Sequence, residues 1–229
     1  MTRILILGAT GRTGAAILAH LPAGIEATAA LRDPADTTRL AKTAASLTST
    51  VVNIAENASL TQAMHGIDVV MNAIRLREDI APTELVAVHD RLIEASTKAN
   101  GAPARIVTVG GAGALRLPGD RRFWQDPRFP EPTLPRGRAH AMLRDHLEAG
   151  NAGSEWAYLI PPPVYEPEGP TTARWERVSP STDETAFTRQ AISYADFGAA
   201  VAETSTKDDT RTQLIAWPSE LTEKHPMSG

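Results

Sequence analysis

Arg3-Ile4-Leu5-Ile6-Leu7-Gly8-Ala9-Thr10-Gly11-Arg12-Thr13-Gly14 decides the fold, because a strand, a glycine turn and the head of a helix follow one another without a break. Arg3 to Leu7 is short and almost wholly apolar, the pattern of a strand buried on both faces. Beyond the turn, Ala15, Ala16, Ile17, Leu18 and Leu21 recur at helical spacing until Pro22 and Gly24 stop them. Between the two stands G-x-x-G-x-x-G. Gly8 permits a tight turn, Gly11 lets the backbone approach a pyrophosphate, and Gly14 lets the helix pack closely on the strand. The free N–H groups of the helix start accept negative charge. Such glycines also serve a purely structural helix start, but directly after a strand and opening a helix they stand where dinucleotide binding needs them.

Outward from this unit the same alternation repeats. Strands are expected at Ile25 to Leu31, Thr50 to Ile54, Val69 to Ala73, Arg105 to Val109 and Trp156 to Ile160. Helical patterns run from Asp36 to Ala45, around Leu60 to Met64, from Pro82 to Asn100 and from Arg138 to Gly150. Short strands and helices in turn are the βαβ signature, and right-handed crossovers place the strands in one parallel sheet. The expected fold is therefore α/β, a Rossmann-like open parallel sheet flanked by helices. Ligands in such sheets sit over the carboxyl ends of the strands, where Gly110, Gly111 and Gly113 loosen the chain.

Pro161-Pro162-Pro163 ends the regular pattern. Beyond it, short strands are expected at Thr172 to Val178 and Ala186 to Arg189, a helix from Tyr194 to Ser205, a late strand at Thr212 to Ala216 and a mobile tail from Glu220. The chain reads as one domain over 1–229, with a core at 1–160 and a mixed C-terminal lobe at 161–229 that is too interrupted to own a separate core. The proline-rich stretch from Pro118 to Pro135 reads either as a surface excursion or as a flap on the substrate side.

Which dinucleotide is bound depends on the end of the second strand. An acidic residue there takes the ribose hydroxyls of NAD, whereas a basic one pairs with the extra phosphate of NADP. Arg32 follows Leu31, with Asp33 next, and Arg12 in the glycine loop offers a second cation. The guanidinium fork suits phosphate, so NADP(H) is expected, with NAD possible should Asp33 turn inward.

Composition excludes other classes. The 229 residues carry a net charge of −4 without any block of like charges, which gives no reason to expect nucleic acid or an anionic membrane as partner. The absence of cysteine removes disulfides, thiolate nucleophiles and cysteine-based metal sites. No H-E-x-x-H, EF-hand, P-loop or G-x-S-x-G pattern occurs, so neither a metal nor a hydrolase site is expected. Ile4 to Leu7 is too short for a signal h-region and no apolar run approaches the ~20 residues of a membrane span, so a cytoplasmic protein acting on a small molecule, as monomer or homodimer, is expected.

Several side chains are weaker candidates. His140 is the best-placed titrating group, a proton donor or substrate contact on one reading and a packing residue on the other. His89 reads as packed. Phe123, Trp124, Tyr165 and Trp175 can offer faces to a flat ring, and Arg75 and Arg77 follow the fourth strand, where they either touch an anion or sit in solvent.

Taken with Arg32-Asp33-Pro34, Val109-Gly110-Gly111-Ala112-Gly113, Leu159 to Pro163 and Ile192-Ser193-Tyr194-Ala195-Asp196-Phe197, the glycine loop resembles the atypical short-chain dehydrogenase/reductases. More narrowly, the set resembles the NmrA-like and biliverdin-reductase-B-like NAD(P)H-binding proteins. The resemblance implies that Gly8, Thr10, Gly11, Arg12, Thr13 and Gly14 line the pyrophosphate and that Arg32 meets the adenosine phosphate. It further implies Ala73 and Ile74 beside the ribose and bridge, Gly110 and Gly111 on the nicotinamide side, Pro161 to Val164 (Pro162 included) framing the nicotinamide, and Ile192 to Asp196 stabilising the late lobe.

The chain departs from that group's ketone chemistry. It has no Tyr-x-x-x-Lys pair; His140 and Arg144 occupy the stretch, and Gly110-Gly111-Ala112 stands where a serine would be sought. Arginine keeps its proton and cannot act as an acid. A conjugated acceptor such as a quinone or flavin spreads incoming charge and needs no such pair, so an NADPH-dependent reductase of that kind is expected, its protein contributing proximity and orientation. The alternative is a non-catalytic NADP(H)-sensing regulatory protein.

Overall fold

The computed structural model describes residues 1–76, 80–207 and 211–224. An eight-stranded sheet forms its centre. In chain order the strands are β1 (Arg3–Leu7), β2 (Glu26–Leu31), β3 (Ser46–Val51), β4 (Val69–Asn72), β5 (Arg105–Val109), β6 (Arg116–Leu117), β7 (Arg121–Arg122), β8 (Trp156–Ile160), β9 (Val164–Glu166), β10 (Glu176–Val178), β11 (Ala191–Ser193) and β12 (Arg211–Ala216). The helices are α1 (Arg12–His20), α2 (Asn57–Ala63), α3 (Glu84–Asn100), α4 (Leu134–His146), α5 (Tyr194–Glu203) and α6 (Ser219–Lys224). The sheet runs β10-β12-β8-β5-β4-β1-β2-β3, parallel except for β10. Strand order reverses at β1, between β2 and β4, and a crevice opens at such a reversal.

Alternation along the strands assigns each side chain to a face. Ile4, Ile6, Val107, Ala157 and Leu159 join the cluster under α1 and α5, whereas Leu5, Leu7 and Ile106 join that under α2 and α3. Tyr158 and Ile160 point into a third cluster under α4. Each large side chain so buried contributes about 1.5–3 kcal/mol. Helices α1 and α5 meet at Ala16 and Gly198, where a Cβ on Gly198 would lie 2.5 Å from that of Ala16.

The C-terminal part enters the central layers: β12 pairs with β8, and α5 covers the sheet beside α1. Its hub is the buried Asp196, whose carboxylate accepts from the Thr172 and Ala173 backbones, the Thr172 hydroxyl and Trp217 Nε1. Ser193 caps the helix by accepting from Asp196 N.

Several expected elements differ. The helix expected over 36–45 is only a 3₁₀ turn, Pro34–Arg39, because the Thr37 and Thr38 hydroxyls bond back to the Pro34 and Ala35 carbonyls and tighten the chain. The third strand begins four residues before its expected start, in Ser46–Val51, since an edge strand carries Ser and Thr rather than an apolar run. The fourth major helix starts at Leu134, with Pro135 in its first turn. Residues 186–189 lie in a 3₁₀ turn, Thr185–Arg189, preceded by Asp183, whose carboxylate accepts from Thr185 N. Of 172–178 only Glu176–Val178 is a strand, because Thr172 and Ala173 are held by Asp196. The small parallel pair β9–β11 has no clear signal in the sequence, and the expected mobile tail begins as α6. No helix among the described residues is long and apolar enough to cross a membrane.

Candidate functional site

At the end of β1, Gly8 takes φ +76°, and a Cβ there would stand 2.5 Å from the Ala73 carbonyl oxygen. Gly11 N–H closes the turn on Gly8 O at 2.9 Å. A Cβ on Gly14 would reach 2.1 Å from Gly8 O, so only glycine lets α1 start this close to the strand. The start of α1 has no side-chain cap and no acidic residue in its first turn. An uncapped helix start of bare backbone is the shape and polarity a pyrophosphate requires.

Two cavities open on either side of Ala73, Ile74 and Arg75, which line both. The smaller, about 330 Å³, joins Gly8, Thr10 and Gly11 to Arg32 and Arg39. Arg32 is exposed and has no hydrogen bond among the described residues. Asp33 does not turn inward; its carboxylate accepts from Ala35 N at 2.8 Å. Arg39, which the sequence reading missed, ion-pairs with Asp36 at 2.8 Å and reaches toward the Thr10 carbonyl at 3.5 Å. Arg12 lines the other cavity, so Arg39 and Arg75, and not Arg12, share the smaller one with Arg32.

The larger cavity, about 840 Å³, lies between the strand ends and the segment after β5. Arg12 and Thr13, Gly110 and Gly111, and Pro161, Pro162, Pro163 and Val164 line it, as does His140. Phe123, Arg128, Phe129 and Pro130 also line it, so the stretch 118–135 forms a wall of the cavity. Gly113 and Gly137 hold that wall close: a Cβ on Gly113 would lie 2.4 Å from Gly137 Cα, and one on Gly137 would lie 2.7 Å from the Phe129 ring.

An ion-pair network anchors the wall. Arg144 is fully buried and clasps Glu184 with two bonds of 2.8 Å, Glu148 at 2.9 Å and the Ala114 carbonyl at 2.9 Å. Arg122 pairs with Asp145 and donates to the same carbonyl at 3.1 Å. Arg144 therefore faces the core, away from the cavity, and forms no catalytic pair with His140.

His140 packs so closely on Gly111 that a Cβ there would lie 2.5 Å from its Cδ2. Its Nδ1 is 2.8 Å from the hydroxyl of the buried Tyr158, which also accepts from Gly111 N–H. Its Nε2 has no partner among the described residues. Burial, helped by the charge of Arg136, pushes His140 down to about 4. The imidazole is thus neutral at physiological pH. Burial pushes the Tyr158 hydroxyl far up, so it keeps its proton.

Tyr165 places its hydroxyl 3.0 Å from Thr13 Oγ1 and stacks on Tyr194, centroids 3.7 Å apart; both rings line the larger cavity. Trp124 and Trp175, expected as possible ring platforms, are not among the lining residues: Trp124 lies under the Arg138 guanidinium and Trp175 packs on the core. His89 is packed as expected, its Nε2 2.8 Å from the Ala152 carbonyl. Arg77 falls outside the described residues. Tyr158, Tyr194, Arg128, Arg136 and Arg189 were missed, because no motif or spacing marks a cavity wall assembled from separate segments. Among the described residues no cluster of His, Asp and Glu is placed to hold a metal ion.

A family profile described as NAD(P)H-binding matches residues 8–208. No curated protein matches the chain. Among solved structures, a candidate epimerase from Bacteroides thetaiotaomicron is similar at TM-score 0.76 and 22% identity, covering 94% of this chain and 97% of that one. A candidate NADH-flavin reductase from Streptococcus pneumoniae TIGR4 is similar at 0.70 and 23% identity, covering 95% and 100%. A Rossmann-fold NAD(P)-binding family protein from Shigella flexneri is similar at 0.64 and 22% identity, covering 95% and 94%. Likeness at this level of identity is likeness of fold.

Proposed function

Given that the chain belongs to the NAD(P)H-binding family, we propose that it is an NADPH-dependent reductase of a conjugated small molecule such as a quinone or flavin. Within the family we place it beside the NmrA-like and biliverdin-reductase-B-like proteins, on its glycine loop and the Ile192 to Asp196 segment. One observation carries the reading: a small cavity lined by three arginines and the uncapped glycine turn shares Ala73, Ile74 and Arg75 with a larger cavity lined by apolar side chains and His140.

The chain's residues divide the task. Gly8, Thr10, Gly11, Arg12, Thr13 and Gly14 hold the pyrophosphate with backbone N–H groups and the positive helix end. Arg32, with Arg39, takes the phosphate that distinguishes NADP from NAD. Ala73 and Ile74, which line both cavities, stand beside the ribose and bridge, and Gly110, Gly111, Pro161, Pro162 and Val164 frame the nicotinamide side. The nicotinamide, when bound, supplies the hydride.

His140 contributes a hydrogen bond. The Tyr158 hydroxyl can donate to His140 Nδ1, at 2.8 Å, or to the His140 carbonyl, at 3.2 Å; in the tautomer in which Nδ1 accepts, the imidazole proton stands on Nε2. A neutral ring that released this proton would become an imidazolate, so His140 steadies developing negative charge while water delivers the proton. Acceptors that spread charge over a conjugated ring suit such a site; simple ketones do not.

Stopped-flow oxidation of bound NADPH by quinones, flavins and aldehydes tests the reading. Rapid oxidation by a quinone or flavin, with aldehydes inert, is expected. Oxidation by none of them would overturn it.

A further inference from the structure

The chain has 27 acidic side chains against 23 of lysine and arginine, yet among the described residues the lining of the larger cavity holds five arginines and no carboxylate. Two of them, Arg12 and Arg75, stand on the glycine loop and beside Ile74, on the cofactor side. The other three come from elsewhere: Arg128 from the wall after β7, Arg136 from the first turn of α4, and Arg189 from the end of the 3₁₀ turn before β11. None of these three lines the smaller cavity.

The surroundings make this charge consequential. Phe123, Phe129, Pro130 and the prolines after β8 line the same space, and low-dielectric walls carrying one sign of charge focus the field on whatever enters. Arg128 forms a two-bond ion pair with Asp126, at 2.8 and 3.0 Å, but Asp126 is not part of the lining. Arg189 has no ion pair among the described residues. The Arg136 charge reaches His140, so the positive potential extends to the Gly111 side of the cavity. A neutral ring entering here would shield cations from water without meeting their charge, whereas an anion would do both.

We propose that the substrate of the larger cavity carries an anionic group, a carboxylate or a phosphate, on its conjugated body, and that Arg128 and Arg189 receive it. The inference rests on the reductase reading for the conjugated body, while the anion preference rests on the arginines alone. Arg136, beside His140, adds to the potential that draws the group in.

The test measures dissociation constants on the NADP⁺-loaded protein, without turnover, for two matched pairs. Anthraquinone-2-carboxylate is compared with its carboxamide, and FMN with riboflavin. In at least one pair the anion is expected to bind about tenfold or more tightly, less so at high salt, and the pair with the larger ratio identifies carboxylate or phosphate. The ratio should collapse toward unity in Arg128→Gln/Arg189→Gln, with NADP⁺ affinity measured on the same samples. Failure of both anions to outbind their neutral partners overturns the proposal. So does a ratio that survives the double substitution, or a loss of NADP⁺ affinity that would assign these arginines to the cofactor. Absence of NADPH oxidation would overturn the reductase reading but leave these binding ratios interpretable.

Discussion

The Tyr158 hydroxyl stands 2.8 Å from His140 Nδ1 while Gly111 N–H donates to the same oxygen, so a strand, a loop and a helix meet at one buried phenol. Tyr158→Phe keeps the ring and removes this junction. A lost buried hydrogen bond costs about 1–3 kcal/mol, so a modest fall in melting temperature is expected. Quinone turnover should fall about tenfold through kcat, with NADPH affinity unchanged. Unaltered kcat would show that the orientation of His140 does not matter to the reaction.

His140 also sets a pH dependence. Its folded value, about 4, lies below the 6.5 of an unfolded histidine. Below 6.5 the unfolded chain therefore binds a proton that the folded chain refuses. The contribution to stability is complete above pH 6.5, declines as pH falls toward 4, and amounts to ~3 kcal/mol when fully lost. His89, lowered by burial, and Glu148, lowered by its arginines, act in the same direction. Melting temperatures across this range should fall with acidity, and His140→Asn should flatten the slope.

Arg32 and Arg39 share the smaller cavity. Arg32→Ala should lower the NADPH-over-NADH affinity ratio about tenfold, as expected for a charge-assisted phosphate contact. Arg39→Ala should lower it less, since Asp36 already engages that guanidinium. Titration by nicotinamide fluorescence reads both ratios. An unchanged ratio in both variants would remove these residues as the phosphate readers.

Arg144 and Glu184 are buried together, at 0% and 1% side-chain exposure. Glu184→Ala leaves the buried cation with Glu148 as its remaining counter-charge, and breaking such a pair costs up to about 3–5 kcal/mol. Because the same guanidinium holds the Ala114 carbonyl, the wall around Phe123 should loosen too. Chemical denaturation should show the loss of stability, and KM for the acceptor should rise while that for NADPH does not.

Gly14 tests the cradle. An alanine Cβ would stand 2.1 Å from the Gly8 carbonyl oxygen, a backbone atom that cannot swing aside. Gly14→Ala should cost about 1–3 kcal/mol and weaken NADPH and NADH binding alike, because the pyrophosphate is common to both. Retained affinity for both cofactors would argue against the loop as their site.

What the sequence by itself determined is local in origin. The apolar run Arg3–Leu7, the glycines that follow and the periodicity of α1 are written in consecutive residues, and so are most other strands and helices of the layered core. Polar edges were less legible: β3 and the turn Pro34–Arg39 carry Ser and Thr, whose hydroxyls compete for the backbone and blur either period. Only the tertiary structure decided the site beyond the glycine loop. It put Arg39 rather than Arg12 beside Arg32, turned Arg144 into the core and set Tyr158 behind His140. It also brought Arg128 and Arg189, distant in sequence, to one cavity. Each of these depends on contacts between segments far apart in the chain, which no spacing records, and it is burial in those contacts that leaves the His140 imidazole neutral.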